Sequence, residues 1–436
     1  MSMNFANKIG FGKRLNSLIN EENGWTGGQY SIFRLVFGIY LAIHFAMLAP
    51  YGAELFSSAG ALADSSASPL IHAFPNMFAL WDGPLFVTCV LWAATAFALL
   101  FALGVRDRVF SILLWYIWAC LFGRNPLISN PGLPYVGLLL FVHTFLPSAP
   151  YGSFDRRKDP DPNNGWRLPQ ELFVVVWILM AAGYTYSGYT KLVSPSWVDG
   201  DAFAYVLNSP LARPSFIRDF LLMMPDLVIN LLTWGALAAE ILFLPLSLLS
   251  RSRPMIWFNM LMMHLGLIVL VNFADLSLGM VMLHLFTFNP AWIKRKESPQ
   301  VDRVFYDGYC GLCHHAVRFL LAEDARDNDK IAFRFAPLQG DLFVAAVGED
   351  VRATLPDSMV VLTGDGDILI RSSAWLRILE RLGGIWKVLA LALRLIPRAV
   401  LDRAYDLVAS VRGKLFKKQE DACPILPKEL RARFDY

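Results

Sequence analysis

Two cysteines with redox spacing stand at the start of a predicted helix. Cys310 and Cys313 form a Cys-x-x-Cys pair that follows the strand-like run 304–306 and precedes an apolar-periodic helix. Backbone N–H groups and the helix dipole at a helix N-terminus stabilise a thiolate, so they lower the pKa of a cysteine placed there. The spacing favours thiol–disulfide exchange, with Cys310 as the catalytic nucleophile and Cys313 as the catalytic resolving thiol.

Two other uses of the pair stay open. A zinc site needs four ligands, which His314, His315 or Cys423 would have to complete. Since the two histidines are adjacent on the helix, at most one of them faces the cysteines. The pair could also be purely structural. Cys423 is either a supporting thiol that resolves a disulfide or a buried apolar residue. We expect no metal ion.

The rest of the chain has the composition of a membrane protein. Of its 436 residues, 56% are hydrophobic and 17% are charged, and mean hydropathy is +0.44; soluble domains are about 25% charged. Long apolar runs fill the first 300 residues, whereas charged and apolar residues alternate after them. The net charge of +3 and the lack of basic–aromatic interleaving argue against a nucleic-acid partner. Five cysteines do not make a disulfide framework.

Hydropathy predicts eight membrane helices, and no cleavable signal peptide is recognised. The predicted helices cover 31–49, 84–104, 108–123, 133–147, 169–191, 226–250, 254–272 and 276–290. Several are shorter than about 20 apolar residues, so we expect some to be tilted, buried among neighbouring helices or only partly spanning. The predicted domains are a cytoplasmic N-terminal segment (1–30), a membrane domain (31–290), a basic linker (291–300) and a C-terminal domain (301–436).

Charge in the loops predicts the orientation. Basic clusters alternate with loops poor in cations, such as the loop 50–83, which contains no Lys or Arg. The positive-inside rule then places both termini in the cytoplasm, with the bilayer of a bacterial inner (plasma) membrane as partner. The loop 192–225 is an exception, because Arg213 and Arg218 lie on the outer side; its segment FIRDFLLMM is predicted to be an interfacial helix. The dithiol would then face a reducing compartment.

The C-terminal domain has the plan of an α/β thioredoxin-like fold. A strand and the Cys-x-x-Cys helix are followed by a strand at 331–338 and a helix near 340–348. A hairpin follows, with turn residues at 364–367. Helices are predicted at about 372–382, 385–396 and 398–412. A β-α-β opening with cysteines on its first helix and a β-β-α close predict this fold.

The motif Asp307-Gly308-x-Cys310-x-x-Cys313 after a strand resembles the DCC thiol-disulfide oxidoreductase-like family. A loose S-x-A-x-L-x-x-L pattern at 373–379 and the closing Y-D-L-V-A segment with Cys423 also resemble that family. The resemblance covers nearly all of 301–436. It implies a thioredoxin-like fold and dithiol chemistry, with Asp307 and Gly308 as supporting residues. Thioredoxins place a cis-proline before the third strand, where this sequence has Ser358, with Pro356 two residues earlier.

Polar groups inside lipid are costly, so each one indicates function or pairing. The polar residues in the predicted spans are Arg34, His44, His143, Lys191, Glu240, His264, Asp275 and His284. Glu240 lies mid-span and needs a partner or a proton. Lys191 ends the fifth span, where a lysine can also extend to the interface.

The segment from Gly188 through Lys191 to Trp197 and Gly200 resembles the HTTM membrane domain shared with vitamin K-dependent γ-carboxylases. Arg34, Glu240 and His264 fit the same pattern as supporting residues. The resemblance implies that Lys191 is a catalytic base that deprotonates a reduced quinone. The histidine of the family's N-H-x-Y stretch has no counterpart beside Asn130, and the peptide-binding domain is absent. We therefore do not expect γ-carboxylation.

These observations predict a membrane-bound thiol-disulfide oxidoreductase that acts on a thiol or disulfide client, either a protein or a small molecule. Two alternatives remain. One is a carboxylase-like or quinone-modifying membrane enzyme that uses Lys191, with a quinone as the only suggested cofactor. The other is a non-enzymatic membrane assembly factor whose thioredoxin-like domain docks a client.

Overall fold

The computed structural model describes residues 11–162, 165–272, 274–298, 300–324, 331–356, 358–415 and 427–435. Its contacts divide the chain into two compact units. The first contains the chain up to Glu22, Phe33–Ser148 and Leu168–Phe288. The second contains Asn23–Ile32, Ala149–Arg167 and Asn289–Tyr436.

The first unit is built of helices. They are α1 (Phe11–Asn20), α2 (Gly27–Leu48), α3 (Gly52–Phe56), α4 (Pro84–Leu103), α5 (Asp107–Arg124), α6 (Gly132–His143), α7 (Gln170–Lys191), α8 (Pro195–Val198), α9 (Ala202–Asn208), α10 (Phe216–Leu222), α11 (Asp226–Ser247), α12 (Arg253–Leu270) and α13 (Ala274–Thr287). The first residues of α2 belong to the second unit. The extensive contact of α7 with α11 brings the polar residues of these two helices together.

All eight predicted apolar segments are helical. The largest difference between a predicted and an observed end is four residues, at the start of α2 (31 against 27) and the end of α6 (147 against 143). Among the described residues, five stretches are long and apolar enough to cross a membrane: Gly27–Phe56, α4, α7, α11 and α12. The other three predicted membrane helices are shorter or more charged than these five, in line with the expectation that some span the bilayer only in part. The 12 residues of α6 rise only about 18 Å, against a hydrocarbon core of about 30 Å. The helix α13 is also too short to cross that core by itself. The helix α5 carries Asp107 in its first turn and Arg124 in its last turn, which shortens its uncharged stretch.

The second unit contains a four-stranded mixed sheet. Its strands are β1 (Asp302–Tyr306), β2 (Phe333–Pro337), β3 (Val360–Leu362) and β4 (Ile368–Ile370), in the spatial order β2-β1-β3-β4. β1 is parallel to β2 and antiparallel to β3, which is antiparallel to β4. The helices are α14 (Gly311–Glu323), α15 (Asp341–Ala346), α16 (Glu349–Arg352), α17 (Arg371–Leu382), α18 (Gly384–Leu393), α19 (Arg398–Leu415) and α20 (Lys428–Arg431). The predicted β-α-β opening and β-β-α close are confirmed.

The alternation of side chains along β1 builds a core on each face of the sheet. Val304 and Tyr306 point to one face, where they pack with Val317 of α14. Phe305 points to the other face and packs edge-to-face on Phe343, with ring centroids 4.9 Å apart. Since β1 is covered on both faces, its C-terminal end is fixed firmly, and the Cys-x-x-Cys loop starts there.

Glu323, at the end of α14, ties an N-terminal segment to this unit. Its carboxylate accepts hydrogen bonds from the Thr26 hydroxyl, from Gly28 N–H at 2.9 Å and from Trp386 Nε1–H at 2.6 Å. Arg318 likewise donates to the carbonyl of Pro160 at 3.0 Å. These bonds connect 23–32 and 149–167 to the C-terminal domain, with which they form the second unit. The sequence had placed residues up to 30 in the N-terminal segment and residues 31–290 in the membrane domain.

Replacing Glu323 by glutamine should destabilise the second unit. The amide removes the charge that strengthens three hydrogen bonds, and one such bond to a charged group contributes about 1.5–3 kcal/mol. Thermal unfolding of the detergent-solubilised full chain, followed by tryptophan fluorescence, should show a lower transition temperature for Glu323→Gln. The control Glu349→Gln, at an exposed site on α16, should unfold like the unmodified chain. Equal transitions for the two variants would contradict the assigned role of Glu323.

Candidate active site

Cys310 and Cys313 occupy the junction between β1 and α14. β1 ends at Tyr306, and Cys310 is the N-cap residue of α14 with extended backbone angles (φ −95°, ψ 116°). The carbonyl of Cys310 accepts the hydrogen bond from His314 N–H at 3.1 Å that begins the helix. Both thiols are free and lie within the first turn, where unpaired backbone N–H groups and the helix dipole favour negative charge. The predicted position of the pair is confirmed.

The two thiols lie in different environments. Cys310 is half-buried, whereas Cys313 is only 7% exposed and belongs to the core that contains Val304, Tyr306 and Val317. Burial, and then a hydrogen bond from the Cys313 thiol to Cys310, raise the pKa of Cys313 to about 12. Cys313 therefore keeps its proton at neutral pH. Cys310 is left as the accessible sulfur that can act as nucleophile.

The loop before the cysteines is held by Gln339, which follows β2. Its side-chain N–H donates to Asp307 Oδ1 at 3.0 Å, and its carbonyl oxygen accepts from Gly308 N–H at 3.1 Å. Asp307 Oδ1 also accepts from Tyr309 N–H at 3.1 Å. Arg412 of α19 lies 3.8 Å from the other oxygen of Asp307. Asp307 and Gly308 thus shape the loop. The roles of Gln339 and Arg412 were not predicted, because no local sequence pattern links residues so distant in the chain to the Cys-x-x-Cys motif.

His314 faces the loop, and His315 is exposed. His314 Nε2 lies 2.6 Å from the carbonyl oxygen of Gly308, and burial lowers the pKa of His314. A neutral ring that donates to this carbonyl satisfies both partners. Among the described residues, no group of three or more His, Cys, Asp or Glu is placed to hold a metal ion. Cys423, proposed above as a supporting thiol, lies outside the described residues.

The start of β3 lies at the same edge of the sheet as the dithiol loop. Phe305 pairs with Val360, so Met359 and Ser358 lie opposite Tyr306 and the residue that follows it. Met359 N–H donates to the Tyr405 hydroxyl of α19 at 3.1 Å. Ser358 is buried, and its hydroxyl has no hydrogen-bond partner among the described residues. A serine and a methionine thus occupy the edge where thioredoxins have a proline.

A second polar cluster lies in the first unit, where α7 packs on α11. Lys191 pairs with Glu240, and its ammonium nitrogen lies 3.0 Å from Ser187 Oγ. The same nitrogen is 4.7 Å from the ring centroid of Trp197, within range of a cation–π interaction. Lys191, Trp197 and Glu240, which the resemblance to the HTTM domain named together, therefore lie in one cluster. The partner that the mid-span carboxylate of Glu240 requires is Lys191.

A buried tyrosine links two histidines on neighbouring helices. The Tyr184 oxygen lies 2.7 Å from Nε2 of His264 and 2.8 Å from Nε2 of His284. A hydroxyl has one proton, so it donates to one ring and accepts from the other. Nδ1 of each histidine is buried and has no hydrogen-bond partner among the described residues. The position of His264 was predicted, but the connecting role of Tyr184 was not, because tyrosine is common in apolar helices.

Arg34 has a structural setting. Its guanidinium lies 3.7 Å from the carboxylate of Asp107, and His143 Nε2 lies 3.8 Å from the same group. All three residues are buried. Removing one partner would leave an uncompensated charge. Arg34 therefore links α2 to α5 through an ion pair, and it is not part of the cluster that contains Lys191 and Glu240.

Comparison with known proteins places the C-terminal domain in a family. The family model of DCC1-like thiol-disulfide oxidoreductase matches residues 304–418. The chain is 30% identical over 139 residues to the DCC family protein At1g52590, chloroplastic, of Arabidopsis thaliana. The aligned region covers 31% of this chain and 77% of that protein. The chain belongs to the DCC family. The uncharacterized protein YuxK of Bacillus subtilis (strain 168) is 28% identical over 131 residues, 30% of this chain and 91% of that protein. No solved structure matches the chain. The DCC domain is thus that of a thiol oxidoreductase, and the matched range 304–418 includes Cys310 and Cys313.

Alkylation should distinguish the two thiols of the DCC domain. At neutral pH, iodoacetamide should modify Cys310 of the reduced full chain, whereas Cys313 should react far more slowly because it is buried and protonated. Since its pKa lies near 12, the small thiolate fraction of Cys313 should rise about tenfold per pH unit. Peptide mass spectrometry reads each site separately, and Asp350→Cys, at an exposed site on α16 of the same unit, provides an internal reference. Equal rates at Cys310 and Cys313 would contradict the assigned roles.

Proposed function

We propose that the chain is a membrane-bound thiol-disulfide oxidoreductase whose Cys310–Cys313 dithiol exchanges with a disulfide or thiol client. The observation that carries this proposal is the asymmetry of the pair: an accessible sulfur caps α14, and a buried, protonated sulfur lies one turn later. Membership of the DCC family supports the chemistry. The strand order β2-β1-β3-β4, with the dithiol on the helix that follows β1, supports a thioredoxin-like fold.

In the reducing direction, the thiolate of Cys310 attacks one sulfur of the client disulfide. The client S–S bond breaks, a mixed disulfide with Cys310 forms, and the other client sulfur leaves as a thiolate that takes up a proton. Cys313 then loses its proton and attacks Cys310, which releases the second client thiol and leaves a Cys310–Cys313 disulfide. Two electrons pass to the client. A thiol reductant of the same compartment returns two electrons to the protein.

The burial of Cys313 makes these two steps ordered. Burial is the main cause of its raised pKa, and Cys310 adds to it. Cys313 therefore reacts slowly in the resting dithiol, and its attack follows once the mixed disulfide at Cys310 places a disulfide sulfur beside it.

The membrane location is part of the proposal. Among the described residues, five helical stretches are long and apolar enough to cross a bilayer, and basic clusters alternate with cation-poor loops except at 192–225. We count all eight apolar helices as crossings, because only an even number brings both termini to the same side. Both termini, and with them the dithiol, then lie on the cytoplasmic side of a plasma membrane. There thiols are kept reduced, which favours the reducing direction.

Replacing Cys313 by serine should trap clients. The variant can form the mixed disulfide at Cys310 but cannot resolve it, so clients should accumulate as covalent adducts that dithiothreitol releases. Non-reducing gels and mass spectrometry of membranes from the Cys313→Ser strain measure these adducts, and the Cys310→Ser variant is the matched control. Equal adduct formation in the two variants would contradict Cys310 as nucleophile. If both variants function like the unmodified chain and deletion of 301–436 does not, the assembly-factor alternative is favoured.

A second candidate function concerns the first unit. Lys191, which pairs with Glu240 of α11, lies on the same helix, α7, as Tyr184, whose hydroxyl contacts His264 and His284. Two buried Nδ1 atoms there have no partner among the described residues, and a quinone can offer carbonyl or hydroxyl groups to such atoms. We propose an HTTM-like domain that holds a quinone near Lys191. The ion pair with Glu240 implies that Lys191 must transfer its proton before it can act as a base.

A binding measurement tests this second candidate. Lys191→Met should weaken the binding of a short-chain ubiquinone to the detergent-solubilised full chain by about tenfold or more, because an ion-paired ammonium group is lost from the site. Isothermal titration calorimetry measures the affinity, and Lys158→Met, at an exposed loop position, should bind as the unmodified chain does. Absence of binding by the unmodified chain, or unchanged binding by Lys191→Met, would exclude Lys191 from such a site.

A further inference from the structure

Two helices near the end of the DCC domain leave an apolar face uncovered. Val388 and Leu391 of α18 and Leu395, two residues after the end of α18, follow the i, i+3, i+7 spacing of one helix face. Leu395 is 87% exposed. On α19, Val400 and Leu407 repeat the pattern and are 52% and 67% exposed. Apolar residues at this spacing normally face a core. Both helices pack against α17, and yet these side chains are exposed in the full chain.

The same segment concentrates positive charge. Residues 384–415, here called the α18–α19 segment, contain six Lys or Arg and two Asp, a net charge of +4. The whole chain has a net charge of only +3. Apolar residues on one face, with cations flanking them, are the composition of a helix that lies in the interface of an anionic membrane. A protein-binding apolar face does not require this excess of cations.

A cleft beside the apolar face collects three of the neighbouring cations. Its volume is about 630 Å³, and Lys296, Arg394 and Arg398 line it together with Leu395. Lys296 and Arg394 share one carboxylate, that of Glu380, at 3.3 and 2.5 Å. The side chain of Arg398 is 68% exposed and lies 3.8 Å from its only ion-pair partner among the described residues, Asp402. Arg377, which pairs with the buried Asp302, and the carboxylates of Asp367 and Glu380 also line the cleft. Its lining cations outnumber its lining carboxylates, which suits a phosphate group.

We propose that the α18–α19 segment docks on the surface of an anionic lipid bilayer. Leu391 and Leu395 enter the boundary between headgroups and acyl chains, and Arg394 and Arg398 contact lipid phosphates in and beside the cleft. A bilayer is the occupant that the chain itself brings close, because its described residues include five stretches long and apolar enough to cross one. The connection 289–301, from the last helix of the first unit to β1, extends at most about 45 Å. Anionic lipids attract such basic segments by about 1 kcal/mol for each Lys or Arg.

Docking at this face would act on the dithiol loop, because another face of α19 contacts it. Arg412 lies 3.8 Å from Asp307, and the Tyr405 hydroxyl accepts the hydrogen bond from Met359 N–H at 3.1 Å. Membrane docking is thus a property of the domain that is separate from thiol exchange. It gives the domain a fixed orientation towards clients at the membrane surface.

Site-specific labelling of the full chain in lipid nanodiscs tests the proposal. Leu391→Cys and Leu395→Cys report the docked face, and Asp350→Cys, at an exposed site on α16 of the same unit, is the control. A water-soluble maleimide labels the cysteines, and peptide mass spectrometry separates them from the native ones. In nanodiscs of phosphatidylcholine with phosphatidylglycerol, both leucine positions should react at least about fivefold more slowly than the control. Adding Arg394→Gln and Arg398→Gln should remove most of that protection, since each cation lost weakens lipid binding about fivefold.

Two results would overturn the proposal. Rates at both leucine positions equal to that of Asp350→Cys would show that no surface covers the face. Protection that persists unchanged in nanodiscs of phosphatidylcholine alone, and in the Arg394→Gln/Arg398→Gln background, would show that something other than anionic lipid covers it. Neither result bears on thiol exchange, because the probes and the arginines lie outside the dithiol loop.

Discussion

The burial of one sulfur atom sets the chemistry of the DCC domain. Cys313 lies in the core between β1 and α14, among residues that are nearly or wholly inaccessible. An apolar core disfavours a charged thiolate, so Cys313 keeps its proton while Cys310, at the rim, remains accessible. In the proposed exchange reaction the two cysteines therefore have different roles. The proposed order of events, with Cys310 attacking first, rests on this difference in burial.

The rest of the domain maintains that difference. β1 is covered on both faces and pairs with β2 and β3, which leaves its C-terminal end little freedom. Gln339 holds the loop from the β2 side, Arg412 of α19 holds it through Asp307, and Tyr405 of α19 bonds the neighbouring start of β3 at Met359. The residues that hold the loop thus come from two separate parts of the chain. A disturbance of α19 would therefore reach the dithiol through hydrogen bonds and an ion pair rather than through the core alone.

In the apolar helices, polar side chains are grouped rather than scattered. Lys191 with Glu240, and Arg34 with Asp107 and His143, each combine a cation with a carboxylate that would be costly to bury alone. Tyr184 with two histidines differs, because each ring keeps one buried nitrogen without a partner among the described residues. Pairing explains the first two groups as structural features. The group of Tyr184, His264 and His284 is not explained by pairing, because its two buried Nδ1 atoms have no partner among the described residues.

The sequence predicts what depends on local pattern. Apolar runs placed all eight helices to within four residues, and the strand, Cys-x-x-Cys and turn signals placed the β-α-β and β-β-α units correctly. Contacts between distant residues were not predictable in this way. The carboxylate of Glu323 binds Thr26 from the other end of the chain, and Gln339 holds a loop about thirty residues earlier. Such pairs depend on how elements pack, which a single sequence does not specify.

The central claim is that Cys310 and Cys313 act as one two-electron couple. Incubation of the reduced full chain with increasing ratios of oxidised to reduced glutathione, followed by peptide mass spectrometry, tests it directly. The account predicts a single transition in which one oxidised glutathione is consumed, two reduced glutathione molecules form and a Cys310–Cys313 disulfide appears, fully reversed by dithiothreitol. Stable glutathione adducts on Cys310 without an internal disulfide, or no oxidation at all, would contradict the account.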